Sequence, residues 1–151
     1  MTARASLLPA LLLLVLPGCQ PNPRNEIASV ADAALTSAIA ETRDPTLCVH
    51  RAIAPWQPAG DVRRVDTPAP PGFEGLRKAG VFRGGGALKG DRVGGVRVAE
   101  GKGCLDLRGP LVAGDRAMVE LHLTPSGWNL WLRKTDGDWR VVMTTTSLYP
   151  G

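Results

Sequence analysis

His50 and His122 are the only two histidines among the 151 residues, and Glu120 stands two positions before His122. In an extended strand that spacing puts the carboxyl and the imidazole on one face, because alternate side chains point the same way. A carboxylate beside a histidine makes an acid–base pair. With a serine such as Ser126 or Ser147 in reach, it would suit a small hydrolase, and His50, two residues after Cys48, is a second candidate. Neither histidine has an HxxxH or HExxH partner, so the spacing offers no zinc site. The segment Phe82-Arg-Gly-Gly-Gly-Ala-Leu-Lys-Gly-Asp91 has the glycines and lysine of a phosphate cradle, but Lys89 is followed by Gly90 and Asp91 where a P-loop needs Ser or Thr. It reads as a flexible hairpin loop, and no cofactor is expected.

A different chemistry, recognition, is offered by Trp131, Arg133 and Arg140. Indole and guanidinium groups combine large apolar area with directional donors, as binding hot spots do. These residues could hold an envelope protein or a glycan if the face that carries them is open. The competing reading is that a long connection covers Trp131.

The elements that would position these groups follow from periodicity. Ile27, Val30, Ala31, Ala34, Leu35, Ala38 and Ile39 recur at helical spacing, which predicts an amphipathic helix from about Glu26 to Arg43, capped by Asn25 and ended by Asp44-Pro45. Residues 54–73 contain five prolines and read as a long connection around a short strand at 61–65. Ala117, Val119, Leu121 and Leu123 alternate with Met118, Glu120, His122 and Thr124, the pattern of a half-buried strand. A turn at Thr124–Gly127, a strand over 128–134, a hairpin at Asp136-Gly137 and a strand over 139–146 follow. Shorter, glycine-interrupted strands are expected over 80–83, 92–99 and 104–108. The fold class is therefore α+β: one N-terminal amphipathic helix packed on a mainly antiparallel, meandering sheet, in a single domain over 25–151.

Upstream, Leu7 to Leu16 is a ten-residue apolar run preceded by Arg4. It is half the roughly 20 residues needed to span a bilayer, and its order of basic start and apolar middle is that of a cleaved export signal. The run ends in Leu16-Pro17-Gly18-Cys19. This resembles the lipobox of bacterial lipoproteins, with Pro17 where a small residue is usual. The resemblance implies that residues 1–18 are a signal peptide cut between Gly18 and Cys19, that the Cys19 thiol carries diacylglycerol as a thioether, and that 19–24 form a short tether. Membrane lipid is then the first partner. Gln20 in place of the aspartate that retains such proteins at the inner membrane favours the periplasmic face of the outer membrane.

Removing residues 1–18 leaves 133 residues, enough for one domain to bury its own core, and lowers the formal charge from +4 to +3. That excess is too small for a nucleic-acid partner, which export also argues against. Two cysteines then remain in an oxidising compartment, Cys48 and Cys104, and an even pair predicts one disulfide. The helix-then-sheet layout, with the closing Asp-Gly-Asp-Trp-Arg-Val-Val of 136–142, weakly resembles the nuclear-transport-factor-2-like and cystatin-like folds, in which a helix lies in the curl of a sheet. That likeness carries no catalytic residue. The sequence is read as a lipid-anchored envelope protein that acts by binding or as an assembly accessory. The alternatives are a hydrolase using His122 with Glu120 or His50, or a purely structural component.

Overall fold

A computed structural model describes residues 22–58, 65–78 and 80–149. The signal segment 1–18, the cleavage point at Gly18 and Cys19, tether residues 19–21 and strand residues 61–64 lie outside them. In chain order the elements are α1 (Pro23–Thr42), β1 (Cys48–Ala54), β2 (Val65–Asp66), β3 (Gly86–Ala87), β4 (Arg92–Val93), β5 (Val96–Val98), β6 (Leu105–Ala113), β7 (Arg116–Leu123), β8 (Ser126–Thr135) and β9 (Asp138–Leu148). The result is α+β, with one helix on a large mixed sheet.

The helix starts a turn earlier than its apolar spacing implies. Asn22, not Asn25, is the N-cap: its side chain accepts from the Arg24 N–H at 3.0 Å, and Pro23 occupies the first helical position, where its missing N–H costs nothing. At the other end Arg43 takes a left-handed conformation and its N–H closes on the Ile39 carbonyl. The buried face, Val30, Ala31, Ala34, Leu35 and Ala38, is rich in alanine, which lets the helix axis approach the sheet closely. The approach is closest at the β4–β5 turn. A Cβ on Gly94 would lie 2.5 Å from the Asp32 carbonyl oxygen, and the Gly94 N–H donates to Asp32 Oδ1 at 2.9 Å. Among the described residues no helix is long and apolar enough to cross a membrane.

Strands β6 to β9 form the expected antiparallel meander, with β6, β8 and β9 longer than their sequence patterns suggested and β7 shifted by one residue. The β8–β9 hairpin turns on Asp136 and Gly137, both at positive φ, with Thr135 opposite Asp138. The sheet departs from a pure meander at β1, where no strand was expected: it pairs in parallel with both β5 and β6, giving the order β2-β9-β8-β7-β6-β1-β5-β4. The Cys48–Cys104 disulfide ties the start of β1 to the residue preceding β6, and Val49 pairs with Leu105 directly beside it.

The glycine-rich segment is not a free hairpin loop. Gly86 and Ala87 pair with Ile53 and Ala52, Phe82 bridges Val112, and the Gly85 N–H donates to the Gly109 carbonyl at 3.1 Å. A Cβ on Gly84 would run into the Gly109–Pro110 backbone, so the glycines serve close chain contact.

The sheet is covered on both faces. α1 packs on one, over Val49, Ile53, Leu105, Leu107, Val119, Leu121, Leu130 and Leu132. On the other, Trp56, Phe73 and Leu76 from the Pro-rich connection and its flank pack on Leu111, Met118 and Trp131. Strand β7 is consequently buried on both sides from Ala117 to His122, not half-buried as its alternation implied.

Candidate functional site

The register sets two polar rows side by side on the face away from α1. Asp106 pairs with His122, His122 with Gly127 and Gly127 with Ser147; one step along, Arg108 pairs with Glu120, Glu120 with Asn129 and Asn129 with Thr145. His50 joins from β1. Its Nδ1 lies 2.8 Å from Asp106 Oδ1, and its Nε2 donates to the Gly101 carbonyl at 2.9 Å. With both nitrogens facing acceptors, the imidazolium is favoured: the Gly101 carbonyl above all, with Asp106, holds the His50 pKa above its ordinary value, although burial pulls it down.

His122 is driven the other way. Burial and the neighbouring Arg108 guanidinium lower its pKa, against Asp106, which raises it. His122 Nδ1 lies between Arg108 Nη2 at 3.3 Å and Asp106 Oδ2 at 3.5 Å, and Nε2 lies 3.5 Å from Thr124 Oγ1. Arg108 also donates to the Tyr149 hydroxyl at 2.8 Å and lies 3.8 Å from Glu120 Oε1, while the Tyr149 ring rests on His122 at 4.1 Å between centroids.

The sequence candidates His50, His122 and Glu120 are thus brought into one cluster, but through Asp106 and Arg108, not as a direct acid–base pair. Of the two serines, Ser147 stands in the row of His122; Ser126 pairs with Leu123 and Leu148 and is out of step with it. A Cβ on Gly127 would lie 3.0 Å from Ser147 Oγ and 3.4 Å from Glu120 Oε1, so the bare glycine lets those two groups converge. Glu120 and Asn129 are fully buried, Ser147 nearly so, and neither the Asn129 amide nor Ser147 Oγ has a hydrogen-bond partner among the described residues. The face expected to be polar and solvated is closed. Asp106, Arg108, Asn129 and Tyr149 were not singled out from sequence; the alternation of Leu105-Asp-Leu-Arg108 was the signal for the first two. Among the described residues no group of three or more His, Cys, Asp or Glu is arranged to hold a metal ion.

The proposed recognition surface is also corrected. Trp131 has no exposed area; its Nε1 donates to Thr145 Oγ1 at 2.9 Å, the Phe73 ring meets it edge-on at 5.5 Å, and the Arg77 guanidinium lies 4.9 Å from its centroid. The long connection covers it. Arg133 stacks on the outer side of Phe73 at 5.3 Å and reaches Asp115 at 3.5 Å. Arg140, opposite Arg133 in the register, is exposed.

An open groove of about 1590 Å³ lies elsewhere, between one side of α1 from Arg24 to Ala40, the glycine-rich segment and β4, and the start of β9. Ile27, Ile53, Leu88, Trp139 and Val141 give it apolar walls, and Arg24, Lys89, Arg92 and Arg140 are its basic residues against Asp32 and Asp138. Asp32 is engaged by Gly94, and Arg92 donates to the Gly95 carbonyl at 2.9 Å. Arg140 is the one member of the sequence-derived surface that belongs to this groove.

Comparison with known protein families, with characterised proteins and with solved structures finds no match. The helix-on-sheet likeness read from the sequence therefore brings no residue role to either site.

Proposed function

We propose that this chain is a lipid-anchored protein of the bacterial cell envelope, held through acylated Cys19 at the periplasmic face of the outer membrane, whose domain works by binding an envelope molecule in the groove beside α1. The observation that carries the binding reading is the groove itself: a concave, apolar-walled space with convergent basic groups is the usual form of a ligand site. The hydrolase alternative has less support. His50 has both ring nitrogens engaged, and His122 and Glu120 lie beneath covering chain, paired to Arg108. A purely structural envelope component would need no such groove.

The anchor is supported by the lipobox-like Leu16–Cys19 and by the start of α1, which leaves only Gln20, Pro21 and Asn22 between Cys19 and the helix. The test is fractionation of cells that express wild type and Cys19→Ser. Wild type should sediment with envelopes and resist high salt, and the variant should be released. Equal sedimentation of both sinks the anchored reading. For the enzymatic alternative, His50→Gln/His122→Gln should leave the cellular phenotype intact wherever the fold persists.

A further inference from the structure

We infer that the groove takes a single anionic acyl lipid, with its chain along the apolar wall and its headgroup on the basic rim. The source of that lipid is the bilayer to which the chain is tethered, so this part rests on the anchored reading above.

Three observations converge. The lining is more apolar than polar, with half-buried Ile27 and Val141 beside the edges of buried Ile53, Leu88 and Trp139, which suits an aliphatic chain. The charge is asymmetric. Arg24, Lys89 and Arg140 line the groove and make no ion pair or side-chain hydrogen bond with the described residues, whereas Asp32 is already held by the Gly94 N–H. An anion therefore finds three unspent donors there, against the single unengaged carboxylate of Asp138 for a cation. The third observation is placement. Arg24 forms one end of the groove and is five residues from Cys19. At about 3.5 Å per residue, even a fully extended tether keeps that end within about 17 Å of the anchoring sulfur. A groove at that height opens onto the headgroup layer, where anionic lipid is the most concentrated ligand.

The test uses monomeric lysophosphatidylglycerol and lysophosphatidylcholine of equal chain length, titrated below their micellar concentrations into the mature chain, with tryptophan emission as the readout. The anionic lipid should saturate the signal at a concentration at least about tenfold below the zwitterionic one, as loss of two or three charge contacts implies. Trp139→Phe should remove most of the change. Lys89→Glu/Arg140→Glu, at two exposed positions that leave the core untouched, should weaken lysophosphatidylglycerol binding by about tenfold or more with an unchanged thermal melt. Equal binding of the two lipids, or no saturable binding of either, overturns the inference, and so does a response confined to soluble glycan strands. This titration does not depend on Cys19, so its failure is separate from a failure of the fractionation test. Binding of the anionic lipid to a chain that Cys19→Ser does not release would overturn the stated source of the ligand.

Discussion

His50 and His122 share the carboxylate of Asp106, His50 Nδ1 at 2.8 Å from Oδ1 and His122 Nδ1 at 3.5 Å from Oδ2, yet their pKa values move in opposite directions. The Gly101 carbonyl accepts from the far side of His50, whereas Arg108 and burial oppose a charge on His122. The raised His50 contributes stability that is fully present below about pH 6.5 and is lost as pH rises through its folded value. The lowered His122 contributes stability that is present above about pH 6.5 and is lost as pH falls toward its folded value. NMR titration should show one ring titrating above 6.5 and one below, identified with His50→Gln and His122→Gln. Urea denaturation should find His50→Gln more destabilised at pH 5.5 than at pH 8, and His122→Gln relatively better off at the acid pH. Coincident titration of both rings at the ordinary histidine value would refute this arrangement.

The Cys48–Cys104 bond closes 56 residues of sequence at the point where β1 and β6 begin to pair in parallel. Parallel neighbours have no hairpin to hold them in register, so the cross-link limits the unfolded chain where it is otherwise least constrained. Cys48→Ala/Cys104→Ala should lose about 4 kcal/mol on the chain-entropy model. The denaturation midpoint of the oxidised chain compared with the double variant measures it, and a difference under about 1 kcal/mol would show that pairing with β5 and β6 suffices without the bond.

What was legible in the sequence was what repeats. The helix face, the β7 alternation and the Asp136-Gly137 turn each state a period or a turn chemistry within a few residues. β1 was illegible because in Cys48-Val-His-Arg-Ala-Ile-Ala only Cys48, Val49 and Ile53 are buried, and a register shift falls between Val49 and Ile53. The second core was illegible for another reason. Phe73 ends a proline-rich connection without periodicity and Leu76 follows it, so nothing local shows that they lie on Trp131. Without that contact the sequence leaves Trp131 open to two readings, exposed or covered, of which the covered one holds, and the polar row expected to be solvated is closed. The groove was missed because it joins three segments distant in sequence, whose members Ile27, Lys89 and Arg140 were each singled out for a different reason.

Ser147 Oγ is buried with no hydrogen-bond partner among the described residues, and Gly127 leaves it room. An unpaired buried hydroxyl costs stability, so Ser147→Ala should be neutral or stabilise by up to about 1 kcal/mol. Gly127→Ala places a methyl 3.0 Å from that oxygen, and should destabilise by about 1–3 kcal/mol. The double variant Gly127→Ala/Ser147→Ala should recover part of the loss, with a coupling above about 0.5 kcal/mol. Strict additivity in urea denaturation would mean that the two side chains do not meet.

Phe73 is the keystone of the second core: its ring meets Trp131 edge-on at 5.5 Å while Arg133 lies over it at 5.3 Å, and it is 3 % exposed. Phe73→Ala should cost about 3–5 kcal/mol through the cavity it leaves. The loss should be uneven. α1 and the first core do not touch Phe73, so hydrogen exchange should accelerate over residues 65–78 and at the β7–β8 backbone beneath them, and stay slow at Val30–Ala38 and β6. Trp131 emission should shift to the red as water reaches its ring. Phe73→Leu, which keeps most of the volume without the edge contact, should retain the exchange pattern at a smaller cost, about 1 kcal/mol. If Phe73→Ala instead loosens α1 and residues 65–78 to the same degree, the two faces of the sheet form one cooperative core.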